Sequence, residues 1–291
     1  MPDARPHTAF VLGGGGHLGA HEVGMLRALL ERAIVPDVVL GTSIGAINGA
    51  AVAADPSPRS VQRLTETWSR FEGGDVFGGS ALRRLGTLAR SRTHLHDPAP
   101  LRDLLTEALP VQRIEDLPVP FGCVTACIET ASERWFSEGP LVDAVLASCS
   151  VPGLLPPVRI GDEHFLEGGL VNSIPVSRAI ALGARRIYVM QVGRVDRPLS
   201  VPRWPWEVGF VAFEIARRHR YHGDLAAVPA DIDVHVMPTG QPDRAPAAAD
   251  LSSLRYRDSA RITRHIERAY QASARFLDEG GHQPRPAEEA S

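Results

Sequence analysis

Short apolar runs alternate with amphipathic segments along most of the chain, and this order predicts strands that are each followed by a helix. The first apolar run, Thr8 to Leu12, precedes a helical pattern over His17 to Ala33, where apolar residues recur three or four positions apart. A second run ends at Leu40 and precedes a helix of small residues over Ala46 to Ala54. Such alternation is typical of an α/β fold in which helices cover both faces of a mainly parallel sheet.

The rest of the chain continues this pattern. Further strands are predicted at Phe121 to Ile128, Arg134 to Phe136, Arg186 to Val192 and Ile232 to Met237. Helices are predicted within Arg59 to Leu109, with glycine interruptions at 73–74 and 78–79, and at Leu141 to Ser148, Pro175 to Leu182, Val208 to Leu225 and Leu251 to Leu277. No repeat or linker divides the sequence, so we expect one domain over residues 1–280 and a loose tail over 281–291.

Composition narrows the functional classes. With 44% hydrophobic and 22% charged residues the chain is typical of a soluble globular protein, and a net charge of −3 gives no general attraction to nucleic acid. The sequence contains no lysine, which excludes a phosphate-binding P-loop and a pyridoxal Schiff base. Three cysteines are too few for a disulfide framework, and no run approaches the roughly 20 apolar residues of a membrane span, so we expect a cytoplasmic protein.

The segment at residues 41–45, Gly-Thr-Ser-Ile-Gly, lies between a predicted strand and a predicted helix. This placement is typical of a nucleophile elbow, in which a sharp turn exposes a serine hydroxyl and flanking glycines keep other side chains away. Ser43 is therefore the candidate nucleophile, and Gly41 and Gly45 are the candidate elbow glycines. A serine hydroxyl needs a neighbouring base. The downstream histidines are His164, His219, His222 and His235, but none follows a predicted strand in a clear catalytic setting.

A glycine-rich loop at residues 13–16 also follows a strand and precedes a helix. Its backbone N–H groups can stabilise the oxyanion of an acyl-transfer intermediate, because glycines let the acyl group approach closely. The alternative is a dinucleotide site, since Gly14, Gly16 and Gly19 match the Gly-x-Gly-x-x-Gly fingerprint. That interpretation also requires an acidic residue at the end of the second strand, where the sequence has Leu40-Gly41-Thr42 instead.

Three segments together resemble the signature blocks of patatin-like phospholipases: Gly-Gly-Gly-Gly-His-Leu-Gly-Ala at 13–20, Gly-Thr-Ser-Ile-Gly-Ala at 41–46 and Glu-Gly-Gly-Leu-Val-Asn-Ser-Ile-Pro-Val at 167–176. The resemblance implies a three-layer α/β/α fold and hydrolysis of lipid acyl esters without a metal or other cofactor. It also implies a serine–aspartate dyad, with Ser43 as nucleophile and Glu167 at the position of the base. The amides of Gly14, Gly15 and Gly16 would then form the oxyanion hole.

Two positions depart from the pattern of that family. Glu167 stands where the family usually has aspartate, and Leu18 stands where it usually has arginine or lysine. Glutamate keeps the carboxylate but adds a methylene, which can misplace the base. Two hypotheses therefore stay open: an active serine lipid acyl hydrolase, and a protein of the same fold that binds lipid or acyl groups with little or no catalysis.

Two segments bear on contact with lipid. The apolar stretch at residues 201–213, with Trp204 and Trp206, is suited to peripheral insertion into a membrane interface or to packing against the sheet. The positive stretch containing Arg83, Arg84, Arg90 and Arg92 is suited to phosphate headgroups or to an ordinary solvated helix face. The sequence gives no prediction of oligomeric state, headgroup or acyl chain length.

Overall fold

The computed structural model describes residues 7–72, 81–192, 195, 198–241 and 259–281. Eight strands form one sheet in this part of the chain: β1 Thr8–Leu12, β2 Val38–Gly41, β3 Phe121–Cys127, β4 Ser132–Phe136, β5 Val158–Ile160, β6 Glu163–Glu167, β7 Arg186–Met190 and β8 Asp233–Val236. The strand order is β5-β6-β3-β2-β1-β7-β8, and β4 also pairs with β3. The β3–β2–β1–β7–β8 pairs are parallel, whereas β4, β5 and β6 pair antiparallel. The predicted mainly parallel sheet is confirmed.

Helices cover both faces of this sheet because its central strands are buried on both sides. In β1, Phe10 and Leu12 pack into one hydrophobic cluster, while Ala9 and Val11 pack into a second one on the opposite face. The helices are α1 Ala20–Leu30, α2 Ile44–Ala54, α3 Pro58–Glu72, α4 Ala81–Ser91, α5 Ala99–Ala108, α6 Leu141–Ser148, α7 Val176–Ala181, α8 Pro205–Ala226 and α9 Ser259–Asp278. The first cluster contains side chains of α1, α2 and α6, and the second contains those of α7 and α8, which gives the three layers of an α/β/α fold.

One hairpin was not predicted from the sequence, although it carries a candidate site residue. Strands β5 and β6 pair antiparallel, and β6 also pairs with β3, where Glu167 lies opposite Thr125. Polar residues interrupt the short alternating pattern of these strands, which hides them from a search for apolar runs. The signal in the sequence that could have located the hairpin is the Gly161-Asp162 pair. Glycine readily adopts the positive φ, here +64°, that two-residue hairpin turns require.

The pattern at residues 17–33 also differs from one continuous helix. A 3-10 turn, Gly16–Gly19, precedes α1, which ends at Leu30. Several predicted features lie outside the described residues: the glycine interruptions at 73–74 and 78–79, the side chains of Arg83, Arg84 and Trp206, residues 251–258 and the tail beyond Gly281. Among the helices that the structure describes, none has both the length and the apolar character required to cross a bilayer.

Candidate active site

Ser43 lies at a sharp turn between β2 and α2. Its backbone has φ 55° and ψ −125°, a conformation that costs free energy for a residue with a side chain and is found mostly at functional sites. The turn is so tight that a Cβ atom on Gly41 would lie 2.5 Å from the Gly45 carbonyl oxygen, and one on Gly45 would lie 2.4 Å from the Leu12 carbonyl oxygen. Both positions therefore require glycine, which agrees with a strained nucleophile elbow.

The Ser43 hydroxyl donates a hydrogen bond to Glu167, whose Oε2 atom lies 3.0 Å from Oγ. The two residues are 124 positions apart and meet because β6 pairs with β3 and β3 pairs with β2. Both are buried, with 8% of Ser43 and 5% of Glu167 exposed. The structure thus brings together the two residues that the sequence analysis named as nucleophile and base, at a distance suited to proton transfer.

Burial dominates the electrostatics of this pair. Removal from water raises the pKa of Glu167 to about 8, although hydrogen bonds from Ser43 and from the Gly169 backbone act in the opposite direction. A carboxyl group with a pKa near the working pH can both accept and return a proton, as general acid–base chemistry requires. At neutral pH a large part of Glu167 is protonated, so the base form increases as the pH rises.

Two residues that the sequence analysis did not assign to the site lie beside Ser43. The Ser148 hydroxyl accepts a hydrogen bond from the Ser43 backbone N–H at 2.9 Å, which holds the strained turn. The Cys149 thiol interacts with the Ser43 hydroxyl, and burial followed by the nearby Glu167 charge raises its pKa well above the usual value. Cys149 is therefore a neutral neighbour of the dyad. In the sequence, Ser148 and Cys149 lie in the Ala-Ser-Cys-Ser run at 147–150. This run does not follow a predicted strand, so it gave little indication of a site.

The glycine loop lies directly against the dyad. A Cβ atom on Gly14 would lie 3.4 Å from Ser43 Cβ and 3.7 Å from Glu167 Oε1. The Gly13 and Gly14 amides already donate to the carbonyls of Met190 and Ser173. Among the described residues, no backbone carbonyl accepts from the amides of Gly15 or Gly16, and both glycines are partly exposed. Of the three predicted oxyanion donors, Gly15 and Gly16 are the two with amides available to a ligand.

Three histidines of the described residues have partners other than Ser43. His17, next to the departure at Leu18, is buried with its ring 6.2 Å from that of His265. His164 pairs with Glu129, and His235 stacks on Tyr188. Within the described ranges, no group of three or more His, Cys, Asp or Glu side chains has a geometry that could hold a metal ion.

Comparison with known proteins gives several relatives with similar sequences. A patatin-like phospholipase domain-containing protein of Caenorhabditis elegans, ZK370.4, is 36% identical over 188 residues, which are 64% of this chain and 14% of the relative. Patatin-like phospholipase domain-containing protein 7 of Rattus norvegicus is 33% identical over 190 residues, or 65% of this chain and 14% of the relative. Lysophospholipase NTE1 of Mycosarcoma maydis is 32% identical over 193 residues, 64% of this chain and 10% of the relative. The matched region is thus a small part of each of these curated relatives.

Comparison with solved structures matches VipD from Legionella pneumophila at 13% identity and a TM-score of 0.48, covering 94% of this chain and 67% of that one. The ExoU–SpcU complex of Pseudomonas aeruginosa matches at 18% identity and a TM-score of 0.43, covering 95% and 52%. The family model for patatin-like phospholipases matches residues 10–180, more than half of the chain. This protein therefore belongs to the patatin-like phospholipase family.

Proposed function

We propose that this protein is a serine hydrolase of lipid acyl esters. Ionised Glu167 takes the proton of the Ser43 hydroxyl while Oγ attacks the ester carbonyl, and the amides of Gly15 and Gly16 stabilise the oxyanion. The protonated Glu167 then gives its proton to the departing alcohol, which leaves an acyl group on Ser43. Water attacks this acyl-enzyme while Glu167 accepts a proton from it. Glu167 then returns that proton to Ser43 Oγ as the ester bond to Ser43 breaks, and the fatty acid is released.

The observation that carries the proposal is the 3.0 Å hydrogen bond between two buried groups, Ser43 on its strained turn and Glu167 with a pKa of about 8. Family membership and the lysophospholipase name of one relative support lipid esters as the substrate class. The N-terminus of α2 begins at Ile44, so its helix dipole also favours negative charge beside Ser43.

Labelling with a fluorophosphonate probe tests the serine nucleophile. We expect a covalent adduct on Ser43, none on the Ser43→Ala variant, and loss of hydrolysis across a panel of lipid and short-chain esters in that variant. A well-folded parent that takes no label at Ser43 would refute this mechanism.

The second candidate function is lipid binding without catalysis. The observations that favour it are the neutral Leu18, where the resemblance implies a cation, and the large protonated fraction of Glu167 at neutral pH. Its signature would be a parent protein that hydrolyses esters no faster than Ser43→Ala at pH 8 and above, while still binding a fluorescent fatty acid.

We also propose that the outer face of α8 is the contact with the lipid surface that supplies the substrate. Of the eight large hydrophobic residues that are exposed in the described part of the chain, five lie on or beside α8, which makes this the main apolar surface: Leu170, Val201, Trp204, Val208 and Ile215. Val208 and Ile215 are two helical turns apart and so share a face.

This surface adjoins the candidate site. Phe213, on the inward side of α8, lies 3.2 Å from the position of a Cβ atom on Gly169, two residues after Glu167. Leu170 is exposed in the 3-10 turn that follows Glu167. Trp204 at the start of α8 is the residue type that favours the headgroup region of a bilayer. A lipid surface on α8 would therefore place ester groups close to Ser43.

Vesicle assays test this contact. We expect the double substitution V208E/I215E to lower the ratio of vesicle hydrolysis to soluble short-chain ester hydrolysis at least about tenfold, because two charges must enter the interface. Val35→Glu is the matched control, since Val35 is 50% exposed and precedes the amino end of β2, whereas Ser43 follows the carboxyl end of that strand. An equal ratio in V208E/I215E and V35E would refute the contact.

A further inference from the structure

Glu22 is a fully buried acid that the proposed reaction does not use. It lies in the first turn of α1, directly after the glycine loop and its 3-10 turn, and none of its surface is exposed. None of the described cations forms an ion pair with it, and a buried acid without such a partner costs free energy, so its presence calls for a structural or functional reason. Its surroundings provide one.

A chain of hydrogen bonds links Glu22 to the nucleophile helix. Asn48 Nδ2 donates to Glu22 Oε2 at 2.7 Å and to the Gly19 carbonyl at 3.1 Å. Asn48 Oδ1 accepts from Trp68 Nε1 at 3.0 Å. These three bonds use both donors of the Asn48 amide and occupy its oxygen, and all of the side chains involved are fully buried.

This cluster, formed by Glu22, Asn48 and Trp68, lies between the two backbone segments that build the candidate site. Asn48 belongs to α2, five residues after Ser43 and one helical turn into the helix that the elbow begins. Glu22 follows the glycine loop, and its carboxyl interacts with the backbone of Gly13. Trp68 contributes from α3. The cluster therefore sets how the glycine loop lies relative to the elbow.

The bond pattern also indicates the charge state of Glu22. Burial raises the pKa of its carboxyl well above the usual value, more than the bonds from Asn48 and Gly13 lower it. The second carboxyl oxygen, Oε1, is buried and has no hydrogen-bond partner among the described residues. One accepting oxygen and one site that can carry a proton are what a neutral acid offers, and a glutamine side chain offers the same arrangement.

We propose that Glu22 is a positioning residue that holds the glycine loop against the nucleophile helix as an uncharged hydrogen-bonding group. The inference rests on the proposed hydrolase function and deepens it. Glu22 acts through Asn48, which also holds the Gly19 carbonyl at the end of the 3-10 turn that follows the glycine loop. Its loss therefore displaces the oxyanion donors relative to Ser43.

Steady-state kinetics with a soluble short-chain ester test this role. Glu22→Leu leaves one buried N–H of Asn48 without an acceptor, and we expect kcat to fall on the order of 10- to 100-fold while KM changes less than about threefold. Glu22→Gln can accept from Asn48 as the neutral acid does, so we expect it to recover most of the lost kcat. A glutamine variant as impaired as the leucine variant would overturn the uncharged role, and a leucine variant with the parental kcat would overturn positioning altogether.

Three further proteins make the result unambiguous. Leu104→Ala in α5 removes buried packing away from the cluster, and its folded fraction should keep the parental kcat. Trp68→Phe keeps a ring but removes the donor to Asn48; we expect a fall in kcat of about three- to tenfold, which serves if Glu22→Leu does not fold, and no fall would overturn the proposal. Ser43→Ala separates the two hypotheses. A parent no faster than Ser43→Ala refutes the hydrolase and this inference with it, whereas an active parent confines any failure to Glu22.

Discussion

Replacing Glu167 with aspartate, the residue that the family resemblance implies at this position, should impair the enzyme. The carboxylate reaches Ser43 from β6 with Oε2 3.0 Å from Oγ. Aspartate is shorter by one methylene, so its oxygens would draw back by about 1.5 Å, the length of one C–C bond. The gap to Ser43 Oγ would then be roughly 4.5 Å, beyond the hydrogen-bond reach of a general base.

The backbone cannot move to close this gap. Glu167 is paired with Thr125 of β3, and the next residue, Gly168, is packed so tightly that a Cβ atom there would lie 2.1 Å from the Val124 carbonyl oxygen. A displacement of about 1 Å in a reacting group can cost on the order of 100-fold in rate. We therefore expect kcat of Glu167→Asp to fall about 100-fold, equivalent to about 2.7 kcal/mol in the activation barrier.

The assay is initial-rate hydrolysis of a soluble ester at pH 9, where Glu167 is ionised, with Ser43→Ala as the baseline. Glu163→Asp makes the same chemical change at the first position of β6 and should keep the parental rate. If Glu167→Asp matched or exceeded the parent, the geometry argued for this dyad would be wrong.

The remaining predictions concern pH, stability and the glycine loop. Because the base must be ionised and its pKa is about 8, kcat of the parent should rise nearly tenfold per unit between pH 6 and 7 and level off above pH 8; a flat profile from pH 6 to 9 would exclude Glu167 as the base. Burial favours protonated Glu167 in the folded state, so the stability present below about pH 4.5 is lost as the pH rises towards 8. Glu167→Gln, although inactive, should therefore have a free energy of unfolding in urea that is a few kcal/mol higher than that of the parent at pH 8, and a much smaller difference at pH 5. Equal pH dependence of the unfolding free energy in both proteins would argue against the raised pKa. Gly14→Ala should lower kcat at least about tenfold although its Cβ fits in ordinary van der Waals contact, 3.4 Å from Ser43 Cβ and 3.5 Å from Ser173 Oγ, because the methyl group would occupy space beside the dyad that the acyl group needs. Gly86→Ala, where a Cβ atom meets nothing within 4 Å, is its control, and similar kinetics in the two variants would show that Gly14 does not crowd the site.

The outline of the fold could be predicted from the sequence because its signals are local. The apolar runs of β1 and β2 are continuous since both faces of these strands are buried, and the small residues of α2 mark a helix packed closely on the sheet. The β5–β6 hairpin escaped prediction because its apolar signal is small: Val158 and Phe165 are its buried hydrophobic residues, and the other buried residue of β6 is the polar Glu167. Its position was decided by pairing with β3, which no local pattern records.

The sequence alone determined the elbow at Ser43 and the glycine loop, because a strained turn and a close backbone approach require glycines at fixed spacing. Tertiary structure alone decided the chemistry of the residues around them. The pairing of β6 with β3 placed Glu167 at hydrogen-bond distance from a serine 124 residues away, and burial raised its pKa. The Ser173 carbonyl engaged the Gly14 amide, and the packing of α1 on α2 buried Glu22 beside Asn48. These properties depend on which groups meet and how much water they lose, and both are set by residues distant in the chain.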